Sequence, residues 1–241
     1  MEQGNAGIHR GRGRPRGMTA QGIETRNRLY TTAVRLIAMR GWHETTLRDV
    51  ATDAGVSVGL LYRYFPSKRA IVLALYDDLS AAYAARAAHM ESGPWRDRFL
   101  YALRTSLDVL RPHRQTLVAL VPVLVNAGDD GLFAPGTAFS RIRVAQVFQD
   151  AVVGATDAPR PPLGAALGRL LYLAHLATIL WWLLDRSPEQ WATDDFLALL
   201  ERALPLATLS LRLRRVRALI VAADDVARAA LFDDMDVHDD R

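Results

Sequence analysis

Along this chain apolar residues recur at steps of three and four, and no stretch alternates as a half-buried strand would, so the pattern predicts an all-α protein. A first helix is expected from about Gly22 to Arg40, with Leu29, Ala33, Leu36 and Ile37 as its buried stripe. Gly41 ends it, and Trp42 packs under the two short helices after it. From Thr45 to Leu75 the run TTLRDVATDAGVSVGLLYRYFPSKRAIVLAL reads as those two helices, a tight turn between them, and the start of a third. Thr46 suits an N-cap and Asp49 can reach back to it, a capping box. Leu47, Val50, Ala51 and Ala54 come next at helical spacing, and Gly55 stops the helix where the turn calls for positive φ. Val56 plugs the gap between the two helices. Ser57 caps the second helix, which runs to about Tyr64 with Leu61 and Phe65 inward. Pro66 ends it, and Ser67 opens a helix to about Met90 carrying Ile71, Leu75, Leu79 and Tyr83. At roughly 35 Å this helix is the natural lever to the rest of the chain.

Five further helices are expected: about 94–111 after Ser92-Gly93-Pro94, 114–127 with a kink at Pro122, 137–153, 163–186, and a long last one of about 193–222 containing Pro205. Loops fall at Gly128–Gly136, between 153 and Pro162, and at Ser187-Pro188. The resulting organisation is a flexible basic arm (1–20), a helix-turn-helix domain (21–68), a larger helical domain (69–231) and an acidic tail (232–241).

Helix, glycine turn, helix is the pattern that places its second helix in a DNA major groove. The free side of that helix carries Ser57, Val58, Gly59, Tyr62 and Arg63, small at the start and aromatic or basic at the end. A small leading end lets a helix sit deep against base edges, the expected place of Ser57, Val58 and Gly59. Arg48 is expected to reach the groove from the preceding helix. Phosphates are expected at Thr46, Tyr62, Tyr64 and Lys68, with charge from Arg63. The residues themselves resemble the DNA-binding domain of the tetracycline-repressor (TetR) family over about Glu24 to Leu75. Thr-Thr, Ala-Gly-Val-Ser, Leu-Tyr and Phe-x-x-Lys stand at that family's mutual spacings. Tyr64 departs from the family's usual histidine, but a phenol can still donate to a phosphate. Beyond about Tyr83 only the helix pattern is similar.

Charge sharpens this reading. The net charge is +4, and the basic residues crowd the start while Asp233, Asp234, Asp236, Asp239 and Asp240 crowd the end. That asymmetry points the first part toward an anionic partner. Within the arm, Arg12-Gly13-Arg14-Pro15-Arg16-Gly17 resembles an AT-hook core, in which arginines lie along a narrow A·T minor groove; a solubilising tail is the alternative. Arg26 and Arg28 stand between phosphate contact and plain surface charge.

The 241 residues contain no cysteine, which excludes disulfides and cysteine-held metals and fits a cytoplasmic setting. The longest charge-free apolar run, Leu170 to Leu184, is shorter than the roughly 20 residues a bilayer span needs, so no membrane is expected. The start has no secretory leader pattern. The histidines, His9, His43, His89, His113, His175 and His238, are scattered, the adjacent aspartate pairs cannot share a helix face, and no phosphate loop is present. No enzyme, metal or cofactor is therefore expected.

Excess apolar surface on the later helices has two competing uses. One is an interface with a second copy along helices of about 163–186 and 193–218, which the family resemblance implies. The other is an internal pocket for a small apolar or aromatic ligand, with Trp95, Phe99, Leu103, Leu117, Phe139, Phe148, Tyr172, His175 and Trp181 as wall candidates. The expected protein is a DNA-binding transcriptional regulator, a homodimeric repressor released from a palindromic site on double-stranded DNA by its ligand. The alternatives are a ligand-independent architectural DNA binder or an all-α enzyme.

Overall fold

The computed structural model describes residues 19–125 and 131–232. The expectations for the arm with Arg12, Arg14 and Arg16, for residues 126–130 and for the acidic tail beyond Phe232 lie outside the described residues. Among those described, the chain forms ten α-helices and no strand.

Three helices and the start of a fourth build a small core. Helix α1 (Ala20–Arg40) is capped by Thr19, whose hydroxyl accepts from Gly22 N at 3.2 Å. Its Leu29, Ala33 and Leu36 meet Val50 and Ala51 of α2 (Leu47–Asp53), Leu61 of α3 (Val58–Tyr64), Phe65, and Ile71 of α4 (Lys68–Ala87). The next residues of α1 and α4, Ile37 and Val72, already belong to the second, larger core. The two cores therefore meet along α1 and α4, and no linker separates them. Helix α6 (Arg114–Leu124) also lies on α1, where Thr116 Oγ1 donates to Val34 O at 3.4 Å.

The larger core is built by α4, α5 (Trp95–Leu110), α6, α7 (Ala138–Val153) and α8 (Leu163–Leu184). Helix α8 is long and apolar enough to cross a membrane, which its charge-free run alone did not convey. It packs against α5, α6, α7 and α10, as the central helix of this core.

The single last helix expected at 193–222 is in fact two, α9 (Trp191–Ser210) and α10 (Arg214–Leu231). Pro205 sits inside α9 without ending it, and the break falls at 211–213, where there is neither glycine nor proline. Beyond the break α10 turns back onto α8, where Asp224 receives a two-pronged grip from Arg169 (Nε–Oδ1 2.7 Å, Nη2–Oδ2 2.5 Å).

Two glycines carry the turns of the small domain. Gly41 has φ 90°, ψ 165°, a region essentially reserved for glycine, and Gly55 has φ 65°. We expect Gly41→Ala to cost about 2 kcal/mol and Gly55→Ala about 1 kcal/mol in denaturant melts. No atom obstructs a Cβ at either site, so the cost is backbone strain alone.

Candidate nucleic-acid interface and ligand cavity

The α2–turn–α3 unit is set by local hydrogen bonds. Thr46 Oγ1 accepts from Asp49 N at 3.1 Å, and Asp49 Oδ2 accepts from Thr46 N at 2.9 Å. The Thr46 hydroxyl also donates to Asp49 Oδ2 at 2.7 Å, and that bond leads the causes that hold the carboxyl below its ordinary pKa. Helix α2 ends as a Schellman turn: Val56 N donates to Ala51 O (3.0 Å) and Gly55 N to Thr52 O (3.1 Å). Val56 packs on the small core, as the turn's apolar plug. Ser57 then caps α3, accepting from Leu60 N at 3.2 Å.

The inward side of α3 is fixed by Leu61 and Phe65, both fully buried. Ser57, Gly59, Tyr62 and Arg63 are exposed together on the other side, and Arg48 is exposed on α2. Val58 and Tyr64 are half-buried and pack partly on the small core.

Two residues expected at phosphates make contacts within the protein itself. Lys68 turns inward: Nζ donates to Trp42 O (2.5 Å) and Thr45 O (3.0 Å) and lies 4.2 Å from the centre of the Trp42 indole. Burial lowers its pKa. The ammonium thus ties the segment between α1 and α2 to the start of α4, a bracing role. Thr46 spends its one hydroxyl hydrogen on Asp49, so it has no donor left for a phosphate in this conformation. Arg26 also stays at home, its guanidinium 5.3 Å from the centre of the Phe65 ring, while Arg28 is exposed.

A cavity of about 750 Å³ lies in the larger core, walled by α4, α5, α6, α7, α8, residues 132–135 and Leu231 at the end of α10. Of the nine wall candidates, Leu117, Tyr172 and His175 line it. Trp95, Phe99, Leu103 and Phe148 are buried core residues that do not reach it. Phe139 and Trp181 are 40% and 50% exposed, and Trp181 stacks on Phe196 with ring centres 5.5 Å apart. Helical geometry explains the last miss: Tyr172, His175, Leu176, Ile179 and Leu183 share one face of α8, and Trp181 falls on the other. The wall also contains Tyr76, Leu79, Ser80 and Tyr83, which sequence reasoning did not assign to it. Their spacing on α4 was visible, but nothing in it separated cavity from core.

The cavity's polar groups are few. Ser106 Oγ and His175 Nε2 share a hydrogen bond of 2.7 Å. Arg141 Nη1 donates to Leu132 O (3.1 Å) and Ala134 O (3.3 Å). Arg143 joins α7 to α4, donating to Asp77 Oδ1 (2.8 Å) and to the cavity-lining Ser80 Oγ (2.7 Å). Burial pushes the Tyr83 phenol up and the His175 imidazole down from 6.5 to about 3. His175 is neutral in the folded protein, whereas the unfolded chain protonates it near its ordinary value. Stability is therefore complete above about pH 6.5 and falls toward pH 3, by at most about 1.4 kcal/mol per pH unit. Asp185, held at about 2 by hydrogen bonds led by those from Thr193 and Ser187, loses its contribution only below its ordinary 3.8. We expect denaturant melts to show the loss between pH 6 and 4.5, and His175→Gln to flatten it.

Residues 29–75 match the model of the bacterial regulatory proteins of the tetR family. The HTH-type transcriptional regulator TtgR of Pseudomonas putida is 40% identical over 70 residues, 28% of this chain and 33% of that protein. The chain spans about a sixth to a third of the length of the curated relatives it matches. The likeness in fold extends further. A tetR-family regulator structure from Streptomyces coelicolor covers 84% of this chain and 90% of its own, with 24% identity and TM-score 0.56. FadR from Bacillus subtilis, solved with stearoyl-CoA, covers 72% and 96%, with 15% identity and TM-score 0.59. Residues 29–75 thus match the N-terminal domain of the tetR family of bacterial regulatory proteins, and most of the chain shares the fold of solved tetR-family regulators.

Proposed function

We propose that the protein is a DNA-binding transcriptional regulator, a homodimeric repressor released from a palindromic operator when a small, largely apolar ligand fills the cavity. The observation that carries this is the exposed α3 face, with Ser57, Gly59, Tyr62 and Arg63 standing clear of a rigid, capped frame. Ser57 and Gly59 approach base edges, with the free edge of Val58 beside them. Tyr62, Arg63 and Tyr64 hold the flanking backbone, and Arg48 reaches the groove from α2. Lys68 and Thr46 act by holding this frame in shape.

A two-fold dimer presents two such helices to two half-sites. Exposed Leu180, Trp181 and Leu184 on α8 and Leu199, Leu206 and Leu209 on α9 support those helices as the interface, because large apolar side chains left exposed on a helix favour burial against a partner. With α9 ending at Ser210, the second of these helices is shorter than the 193–218 read from the pattern.

The route from ligand to DNA is short. The cavity touches α4 and α6, and both helices lie against α1 of the DNA-binding domain. A ligand that fits one arrangement of α4 and α6 better than the other changes the spacing of the two α3 helices. Moving that equilibrium from 1:99 to 99:1 takes about 5.5 kcal/mol of preference. The protein acts in the cytoplasm, where its DNA is.

Selection of bound duplexes from a random pool tests the reading. Two inverted half-sites about one helical turn apart are expected. Recovery of no common sequence would overturn it.

A further inference from the structure

We propose that the cavity takes an uncharged, mainly apolar molecule bearing a hydroxyl group, which pairs with Tyr83 Oη and His175 Nδ1. This deepens the regulator reading, on which only its regulatory consequence rests. Both atoms are buried in the cavity wall and have no hydrogen-bond partner within the described protein. Native proteins seldom leave such groups unpaired, and two in one wall mark where a ligand completes the set. The two rings lie nearly parallel, 9° apart in plane and 6.2 Å between centres, so the two side chains share one part of the wall. Phe148 packs against His175 with ring centres 4.6 Å apart and fixes the imidazole from behind the wall.

The chemistry of the pair selects the head group. If Ser106 donates to His175 Nε2, then Nδ1 carries the hydrogen and requires an acceptor. In the opposite tautomer Nδ1 requires a donor. The Tyr83 phenol can do either. A hydroxyl, donor and acceptor at once, satisfies both tautomers, whereas an ether or a ketone satisfies only one.

Charge is disfavoured in either sign. Among the described residues no carboxylate lines the cavity, so none of them offers an ammonium its counter-ion. The imidazole, held neutral by burial, offers no cation to an anion. Arg141, the charged residue of the wall, points Nη1 at the carbonyls of Leu132 and Ala134 and lies 5.7 Å from the centre of the Phe133 ring, so an anion would meet a cation that the protein already solvates in part. The rest of the wall is chiefly leucine, valine, isoleucine and aromatic rings, which suit an alkyl or aryl body.

The test uses three probes of one body: 4-hexylphenol, hexylbenzene and 4-hexylbenzoate, titrated at pH 7.5 into the full-length protein and into Tyr83→Phe. Loss of an unpaired buried hydroxyl should leave Tyr83→Phe folded, with a thermal midpoint no lower than that of the parent. We expect 4-hexylphenol to bind at least ten-fold tighter than the other two probes, and Tyr83→Phe to shrink that advantage below three-fold while hexylbenzene is unaffected. Equal binding of phenol and hexylbenzene, tighter binding of the benzoate, binding of none of the three, or a preference untouched in Tyr83→Phe would each overturn the proposal. The same titrations are repeated with the selected DNA present. If the phenol binds with the expected preference but leaves DNA affinity unchanged, the ligand class stands and ligand-controlled release falls.

Discussion

A leucine at position 59 leaves the protein folded and removes its sequence-specific DNA binding. Gly59 is exposed in the first turn of α3, and a Cβ built there meets no atom within 4 Å. Its φ is not positive, so a side chain strains nothing. Replacing glycine in a helix raises stability by up to about 1 kcal/mol, and near a helix start the gain is at the lower end. On the DNA side the effect is opposite. A four-carbon side chain at the leading end of α3 holds the helix off the base edges of both half-sites. Lost base contacts cost about 1–3 kcal/mol each, so specific affinity should fall on the order of 100-fold or more. Gly59→Ala, adding one methyl, should show the same two signs at smaller size. Circular dichroism melts and fluorescence anisotropy on selected DNA read both. A leucine variant that binds like the parent would remove α3 from the interface.

The second large effect lies far from DNA. Arg169→Met should destabilise the docking of α10 by about 3 kcal/mol, because it leaves a buried carboxylate without its partner. Asp224 is 3% exposed and takes both prongs of the Arg169 guanidinium. The reverse change, Asp224→Leu, should cost clearly less, because the Arg169 side chain is 34% exposed and can turn to water. The double variant should recover most of the loss. Hydrogen exchange will report it as early opening of 214–231, while α1 to α3 exchange as before. The cavity should feel it as well. Leu231 lines the cavity, and Phe232 packs edge-on against Phe133 (6.0 Å between centres) and near Tyr172 (6.4 Å). Undocked α10 should therefore admit an environment-sensitive dye that the parent excludes.

How much of the fold was readable in the chain depended on how local each decision was. Thr46, Asp49, Gly55, Ser57 and Ser67 act within a few residues of themselves, and the helices they bound begin where the pattern placed them. The inward face of α3 came from Leu61 and Phe65 alone. Lys68 shows the limit of that reasoning. Its position is visible in sequence, but its direction depends on carbonyls at Trp42 and Thr45, more than twenty residues away. The cavity was less legible still. Helix α8 is apolar on every side, so periodicity could not tell the wall at Tyr172 and His175 from the outer face at Trp181 and Leu184. The break between α9 and α10 has no local signal at all. It lies where α10 turns back onto α8, which brings Asp224 to Arg169, residues 55 apart in the chain.

The proposed regulation requires that α3 lie in the major groove of a two-fold site. Methylation interference on the selected duplex tests that placement most directly. Methyl groups on guanine N7, in the major groove, should block binding at two clusters about one helical turn apart, and methylation of adenine N3 within those clusters should not. Binding that tolerates N7 methylation throughout the site would contradict it.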